Sequence, residues 1–138
     1  GRDVRQPTIY QEHHFEVQRS TIPQCGQGLF TRVPLYKGDT IGSYLGEMIT
    51  DAQSEQEPYL SSHYLLWLCC DCLIVGENYT RFINHSAKPN AQFVVSTRWK
   101  KARVEVTRKI LSGDEIFLDY GPGFWEATEV SCVQHDSG

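Results

Sequence analysis

Residues 81–90, RFINHSAKPN, decide how this chain is interpreted. Asn84, His85, Ser86 and Asn90 bring four polar side chains into ten residues, and an ordinary buried strand would not carry them. Each buried polar group must find a hydrogen-bond partner or cost free energy. The stretch therefore indicates a functional site. A second segment, residues 112–121 (SGDEIFLDYG), carries a tyrosine at position 120.

The length of 138 residues fits one domain, for which we predict a core from about residue 15 to 125 and a polar tail over 128–138. No apolar run approaches the roughly 20 residues that cross a bilayer, so we expect a soluble protein without a membrane role. The sequence begins at Gly1 and not at Met, and we expect it to be part of a longer or processed chain.

Charge is distributed unevenly along the chain. The net charge is −4, yet residues 38–80 contain no Lys or Arg and carry seven acids, a local charge of −7. Such a region suits a basic peptide partner, and a solvated acidic face that maintains solubility is the alternative. The seven acids are Asp39, Glu47, Asp51, Glu55, Glu57, Asp71 and Glu77.

Basic residues are concentrated between Arg98 and Lys109. Over residues 102–107 small or apolar side chains alternate with polar ones, which is the period of a half-buried strand with one solvated face. A nucleic-acid-binding β domain would need interleaved exposed aromatic residues, and this segment offers only Trp99. We therefore favour a solvated face and expect no direct role with nucleic acid.

Five cysteines make an odd number without a secretory context, so a disulfide framework is not expected. Cys69, Cys70 and Cys72 lie in a largely apolar run from residue 64 to 75, which predicts buried or half-buried thiols. Paired C-x-x-C motifs are absent, and we predict no metal site.

Turn residues separate short apolar segments and predict a mainly β domain with a small helical insert. Helix signals occur only where Asp51 could cap residues 52–56, and where Ser61 or Ser62 could cap a turn that leads to Leu65 and Leu66. The predicted strands are 15–19, 28–33, 40–45, 73–75, 91–96, 103–107 and 115–118.

Four motifs in order along the chain resemble SET-domain protein-lysine methyltransferases. They are the Gly-x-Gly of residues 26–29 (GQGL), the Tyr-x-Gly-Glu of residues 44–47 (YLGE), the Asn-His-Ser string of residues 81–90, and the Asp-Tyr-Gly of residues 119–121. The resemblance covers about residues 15–125. It implies the SET fold, which is β-clip-like with several small sheets, a short helical insert and a knot-like threading of the C-terminal segment.

The resemblance also implies roles for particular residues. Tyr120 would hold the substrate amine, Tyr44 would form part of the lysine channel and assist catalysis, and S-adenosylmethionine would be the cofactor. The residues expected at the cofactor are Gly26, Gln27, Gly28, Leu29, Tyr64, Arg81, Phe82, Asn84, His85 and Trp125, and Asn90 would tie the loop together. Taken without the resemblance, the glycines could serve a plain hairpin, and the aromatic residues could simply be core.

Two positions depart from the family pattern. Ala87 stands where many histone-tail enzymes have Cys, and a Cys-rich zinc module is absent, so the pair Phe124 and Trp125 would have to close the cofactor pocket. Leu118 stands where the family usually carries Phe or Tyr, and it would line the substrate channel. Because leucine has no hydroxyl to hold a water, this position argues against strict monomethylation.

The sequence therefore predicts an S-adenosylmethionine-dependent protein-lysine N-methyltransferase acting on a basic, lysine-containing tail such as that of a histone. Its location would be nuclear for a histone substrate and cytoplasmic otherwise. The alternative is a catalytically silent SET-like domain that binds a basic peptide. Joint retention of Asn84, His85 and Tyr120 favours the enzyme, because a domain that only binds has no chemical need for all three.

Overall fold

A computed structural model describes residues 5–119 and 130–131 of the chain. Short strands dominate these residues and form three small sheets, so the predicted mainly β class is confirmed. The strands are β1 Phe15–Arg19, β2 Gln27–Thr31, β3 Thr40–Ser43, β4 Gly46–Ile49, β5 Leu65–Cys69, β6 Cys72–Gly76, β7 Asn84–Ser86, β8 Ala91–Ser96, β9 Lys101–Val106, β10 Phe117–Leu118 and β11 Val130–Ser131. Short 3-10 turns occupy Glu12–His14 and Tyr79–Phe82.

The largest sheet has six strands in the order β11-β7-β10-β8-β9-β3. Strand β10 lies between β7 and β8 and runs parallel to both, although β7 and β8 are consecutive in the chain. Asn90, between β7 and β8, clamps β10 in place: its Nδ2 donates to the Glu115 carbonyl at 3.0 Å, and its Oδ1 accepts from the Phe117 amide at 2.7 Å. Asn90 therefore ties the connection between β7 and β8 to the segment of β10.

The main core is formed by the inner faces of the six-stranded sheet and of the β1–β2 hairpin. In β9 the buried residues Ala102, Val104 and Val106 alternate with the more exposed Arg103 and Glu105. This confirms the half-buried strand predicted from the period of two. The main core is completed by Phe15, Leu29, Leu35, Ile41, Ile83, Ala91, Ile110, Ile116 and Leu118.

The insert between β4 and β5 carries the one α-helix of the described residues, α1 Asp51–Ser54. Thr50, and not Asp51 as predicted, is its N-cap: the Thr50 side chain accepts from the Gln53 amide, and the Gln53 side chain accepts from the Thr50 amide in return. Such a reciprocal capping box satisfies two free amides at once. In residues 5–119 and 130–131 no helix is long and apolar enough to span a membrane.

Ser62, one of the two predicted capping residues, caps the turn before Leu65: its Oγ accepts from the Tyr64 amide at 3.1 Å. Leu65 and Leu66 themselves belong to strand β5 and not to a helix. Together β4, β6 and β5 form a three-stranded antiparallel sheet, in which Ile74 of β6 is paired with Met48 on one side and Leu66 on the other. A continuous apolar run such as LLWLC does not distinguish strand from helix by its period. Pairing with β6 decides in favour of the strand.

The thiols differ in their surroundings. Cys69 and Cys72 are half-buried, as predicted, whereas Cys70 at the turn of the β5–β6 hairpin is exposed. These three cysteines are free. Cys25 is completely buried and takes part in a disulfide, which the odd cysteine count did not suggest.

Candidate functional site

A cavity of about 140 Å³ opens where β5, β7, β8 and β10 meet. Segments far apart in the sequence supply its wall, and four of the residues singled out from the sequence lie there: Tyr44, Arg81, His85 and Leu118. The other lining residues are His63, Leu65, Leu66, Thr80, Ile83, Phe93 and Asp119. Apolar and aromatic side chains form about half of this wall, and polar side chains form the rest. A ligand site combines such apolar surface with polar groups that orient the ligand.

His85 of β7 is buried at this cavity. Burial disfavours the charged imidazolium and lowers the pKa of His85 to about 4, although the nearby Asp119 acts in the opposite direction. The imidazole is therefore neutral at physiological pH. A neutral ring can both donate and accept a hydrogen bond without introducing a positive charge into the cavity.

Asn84, the residue before His85, connects β7 to the glycine segment. Its side chain is completely buried, and Nδ2 donates to the Gln27 carbonyl at 3.0 Å. This hydrogen bond joins the Gly-x-Gly segment to the Asn-His-Ser string, as the prediction of a common site requires. The side chain of Leu29, in contrast, is buried in the main core.

Each glycine of the Gly-x-Gly segment is required for a different structural reason. Gly26 has φ 64°, a left-handed conformation that side chains rarely adopt. A Cβ at Gly28 would collide with the Glu115 carboxylate. The requirement for glycine at 28 therefore comes from internal packing, in addition to any ligand.

Sequence reasoning missed Glu115, which is buried beneath Gly28. Its carboxylate accepts hydrogen bonds from Ser20 Oγ at 2.7 Å, from the Thr21 amide at 2.7 Å and from Thr21 Oγ1 at 2.6 Å. A charged residue inside a predicted strand was the available signal, because a buried carboxylate must be paired or hydrogen-bonded. Glu115 therefore holds residues 20–21, in the connection between β1 and β2, against the segment that leads into β10.

Tyr44 packs into the wall with its hydroxyl engaged. The hydroxyl donates to the Tyr64 carbonyl at 2.6 Å, and the Gly76 amide donates to the same oxygen at 2.9 Å. Gly76 was also missed: a Cβ there would strike the Tyr44 ring. The Tyr44 ring meets Phe93 edge to face at 5.3 Å. Phe93, which alternation with Ala91 along β8 could have indicated, is a further wall residue that sequence reasoning did not find.

Arg81 forms the polar side of the cavity. Its guanidinium stacks over the Tyr64 ring at 4.0 Å and lies 5.5 Å from the centre of the Phe82 ring. The Arg81 Nε is buried and makes no hydrogen bond within residues 5–119 and 130–131. An aromatic stack orients a guanidinium while leaving its N–H groups available for an acceptor. Phe82 itself packs against the main core.

Leu118 and Asp119 lie in the wall immediately before Tyr120. Leu118 is almost completely buried at the end of β10. Tyr120 and Trp125, predicted to hold the amine and to cover the cofactor, lie outside the described residues, as does the segment expected to thread through the loop.

Six of the seven acids in residues 38–80 are exposed, and Asp39 is the exception. Asp39 is completely buried, and Arg5 binds its carboxylate through two hydrogen bonds of 2.6 and 3.0 Å. Burial acts to raise the pKa of Asp39, but Arg5 and the amides of Thr8 and Tyr36 together lower it below its usual value. Asp39 therefore contributes to structure and not to the surface charge. The acids that remain exposed are Glu47, Asp51, Glu55, Glu57, Asp71 and Glu77. No three His, Cys, Asp or Glu residues within 5–119 and 130–131 are placed to hold a metal ion.

Burial of His85 predicts a pH dependence of stability. The pKa is about 4 in the folded chain and near 6.5 in the unfolded chain, so the unfolded chain binds the extra proton between these values. The free energy of unfolding should therefore fall as pH drops from about 6.5 to about 4, by up to about 3 kcal/mol. Urea unfolding across this range measures the slope.

Replacement His85→Gln should flatten that slope, whereas His13→Gln, at an exposed position, should leave it unchanged. An equal slope in the His85→Gln protein and the parent would show that another group titrates.

Comparison with known proteins points to one family. The SET domain family model matches residues 26–121. The chain is 29% identical over 126 residues to the histone-lysine N-methyltransferase ash1 of Drosophila melanogaster, covering 82% of this chain and 6% of that protein. It is 27% identical over 131 residues to ASHH3 of Arabidopsis thaliana, a histone-lysine N-methyltransferase, covering 87% of this chain and 36% of the relative.

A third relative, the histone-lysine N-methyltransferase MEDEA of Arabidopsis thaliana, is 33% identical over 104 residues, covering 69% of this chain and 15% of that protein. The chain thus spans about a third or less of the length of these three relatives. The family match covers most of the chain and includes the segments that build the cavity. The chain belongs to the SET domain family.

Proposed function

We propose that this domain transfers methyl groups from S-adenosylmethionine to the side-chain amine of a lysine in a basic protein segment, with a histone tail as the favoured substrate. The observation that carries the proposal is the cavity, where Tyr44, Arg81, His85 and Leu118 converge from separate segments. Three relatives bear names that describe histone-lysine methylation, which supports the same substrate class and a nuclear location.

The residues present fit S-adenosylmethionine. This molecule carries an amino-acid carboxylate, and the buried Arg81 Nε has no acceptor among the described residues. Main-chain groups of Gly26, Gln27 and Gly28 are proposed as further cofactor contacts, because the Gln27 carbonyl is joined to Asn84 of β7. Trp125 is proposed to cover the adenine. When bound, S-adenosylmethionine supplies an electrophilic methyl group on a positively charged sulfur.

The residues of the wall prepare the amine for attack. A lysine amine must lose its proton, and its reference pKa is about 10.4. Phe93, Leu118 and the ring of Tyr44 offer an apolar channel, in which desolvation favours the neutral amine. The proton can leave as the side chain enters the channel, so a strong base is not required.

We assign alignment of the amine to Tyr120. Its hydroxyl would accept or donate one hydrogen bond and hold the nitrogen in line with the methyl group, where proximity and orientation supply most of the rate. A role as general base is less favourable, because the reference pKa of tyrosine is about 10. Tyr44 acts by its ring and by holding the Tyr64 carbonyl, since its hydroxyl is already engaged.

The exposed acids of residues 47–77 would attract a Lys- and Arg-rich segment. Long-range attraction of this kind raises the rate of association and weakens as salt increases. Charge reversal on this surface should therefore raise KM more than it lowers kcat.

Incubation with S-adenosylmethionine labelled in its methyl group tests the proposal. The domain is given a panel of histones and a cell lysate, and mass spectrometry identifies the labelled side chain. Label on lysine supports the proposal. Tight binding of a basic peptide without transfer would instead favour the catalytically silent alternative.

The degree of methylation should depend on Leu118. Of the channel residues Tyr44, Phe93 and Leu118, only Tyr44 carries a hydroxyl, and the Tyr64 carbonyl already binds it. Leu118 therefore supplies no hydroxyl to anchor a water that would block the space for further methyl groups. We expect di- and trimethyl-lysine to accumulate, and Leu118→Tyr to shift the product toward monomethyl-lysine, as measured by mass spectrometry at long incubation.

The matched control is Leu118→Phe, which adds a similar ring without the hydroxyl and carries the same risk of overpacking. Monomethyl-lysine alone from the parent protein, with cofactor in excess, would contradict this assignment.

A further inference from the structure

The turn between β8 and β9 carries a concentration of positive charge that the proposed lysine chemistry does not use. Arg98, Lys100 and Lys101 are all exposed, and none of them forms an ion pair or a side-chain hydrogen bond within residues 5–119 and 130–131. The sequence contains no acid from residue 78 to 104. Three cations in four residues repel one another.

The backbone conformation of Lys100 is a second unusual feature of this turn. Lys100 has φ 51°, a left-handed conformation at which Gly or Asn would be the favourable residue. A lysine at such a position is costly for the turn. Strain held by an exposed charged residue is a reason to look for a function.

An exposed aromatic ring completes the turn. The Trp99 side chain is 65% exposed, and the Arg98 guanidinium lies 4.9 Å from its ring centre. The Trp99 amide donates to Ser96 Oγ at 3.2 Å, which holds the loop in shape. Trp99 therefore offers one exposed ring, positioned by its neighbours, on which a base can stack.

The charge continues along one face of the hairpin. Ser96 is paired with Lys101, and Val94 with Arg103. These side chains therefore share one face of the hairpin, and Phe93 and the cavity that contains His85 lie on the other face. A cavity of about 320 Å³ on this face is lined by Ser43, Val94, Ser96, Lys101, Ala102 and Arg103. Arg103 Nη2 donates to Glu105 at 2.9 Å, so Arg103 contributes less net charge than the residues of the turn.

We propose that the β8–β9 turn and the adjoining outer face bind the phosphate backbone of a nucleic acid. A linear polyanion suits cations that follow one another along a hairpin, and ring stacking adds an interaction that an acidic peptide lacks. A membrane surface would need more than one apolar side chain at the tip, and Trp99 is the only large apolar residue of the turn. At this turn the proposal departs from the sequence-based expectation of a solvated face without a nucleic-acid role.

The proposal is independent of methyl transfer, because the surface lies on the opposite face of the hairpin from the cavity. Its test measures binding of a fluorescein-labelled mixed-sequence DNA duplex, and of one of its single strands, by anisotropy between about 50 and 200 mM salt. If three cations contact phosphates, a plot of the logarithm of the association constant for the duplex against the logarithm of the salt concentration should have a slope of about −3.

The double variant Lys100→Gln and Lys101→Gln should weaken binding roughly tenfold and bring the slope to about −1. The control variant Lys37→Gln and Lys109→Gln removes the same charge at exposed positions elsewhere and should bind like the parent. A larger effect of Trp99→Ala on the single strand than on the duplex would identify single strands as the preferred form.

Three outcomes would overturn the proposal. The parent protein fails to bind either DNA at the lowest salt, or the control variant loses as much affinity as the test variant. The third is that polyglutamate or anionic lipid vesicles bind at least as tightly as DNA and lose affinity in the same double variant, which would assign the surface to another class of partner. Circular dichroism confirms that each variant is folded.

Discussion

Replacement of Tyr120 by phenylalanine should lower kcat for methyl transfer by on the order of 10²-fold. Loss of one positioned hydrogen-bonding group at a reacting centre has effects of this size. The ring volume stays nearly constant, so binding of S-adenosylmethionine, measured by calorimetry, should remain within a few-fold of the parent. Steady-state kinetics with a basic lysine peptide measures the loss.

Tyr36→Phe is the matched control, because Tyr36 is half-buried beside Arg5 and Lys109, where no role in the cavity is proposed. It should retain parental kcat. Equal activity of Tyr120→Phe and the parent would remove the hydroxyl from the mechanism.

Replacement of Asn84 by alanine should damage both stability and cofactor binding. The completely buried side chain donates to the Gln27 carbonyl, and its removal leaves a small cavity and an acceptor without this donor. We expect the free energy of unfolding to fall by about 2–3 kcal/mol. The glycine segment would also lose its connection to β7, so the affinity for S-adenosylmethionine should fall at least about tenfold even where the variant is fully folded. Urea unfolding and calorimetry measure the two effects.

Asn90→Ala separates the two effects. Asn90 is similarly buried, but its hydrogen bonds go to Glu115 and Phe117 and hold β10 in the sheet. It should lose comparable stability while keeping cofactor affinity within a few-fold under folding conditions. Equal loss of affinity in both variants would indicate that Asn84 acts only through general stability.

The sequence was sufficient for the features that depend on local pattern. Alternation along residues 102–107 identified the solvated face of β9, and β1 and β8 have the predicted bounds. The β4 strand was not predicted, since Gly46 weakens the strand pattern and Glu47 and Met48 are both exposed. The strand forms because β4 pairs with β6, a tertiary contact that the local sequence pattern does not indicate.

Some residues of the candidate site could be found from local motifs, and others become visible only through tertiary contacts. His85 and Arg81 were found because an ordered polar motif surrounds them, and the structure puts both at the cavity. Glu115 and Gly76 were missed, because their importance arises from close approach to Gly28 and Tyr44, which are distant in the sequence. Such contacts leave no periodic signal. Gly28 was singled out for a ligand, and its contact with Glu115 adds a reason that sequence alone could not supply.

The position of β10 has a consequence for biosynthesis. Because β10 completes the sheet between β7 and β8, those two strands cannot reach their final arrangement until residues 117–118 have been made. The pairing of β10 with β7 joins residues more than 30 positions apart, and contacts of long sequence separation form slowly. A ribosome-bound chain that ends before residue 117 would expose the edges of β7 and β8. We therefore expect the cavity that contains His85 and Leu118 to form as a late event, after residues 117–118 have been translated, with partly made chains prone to association.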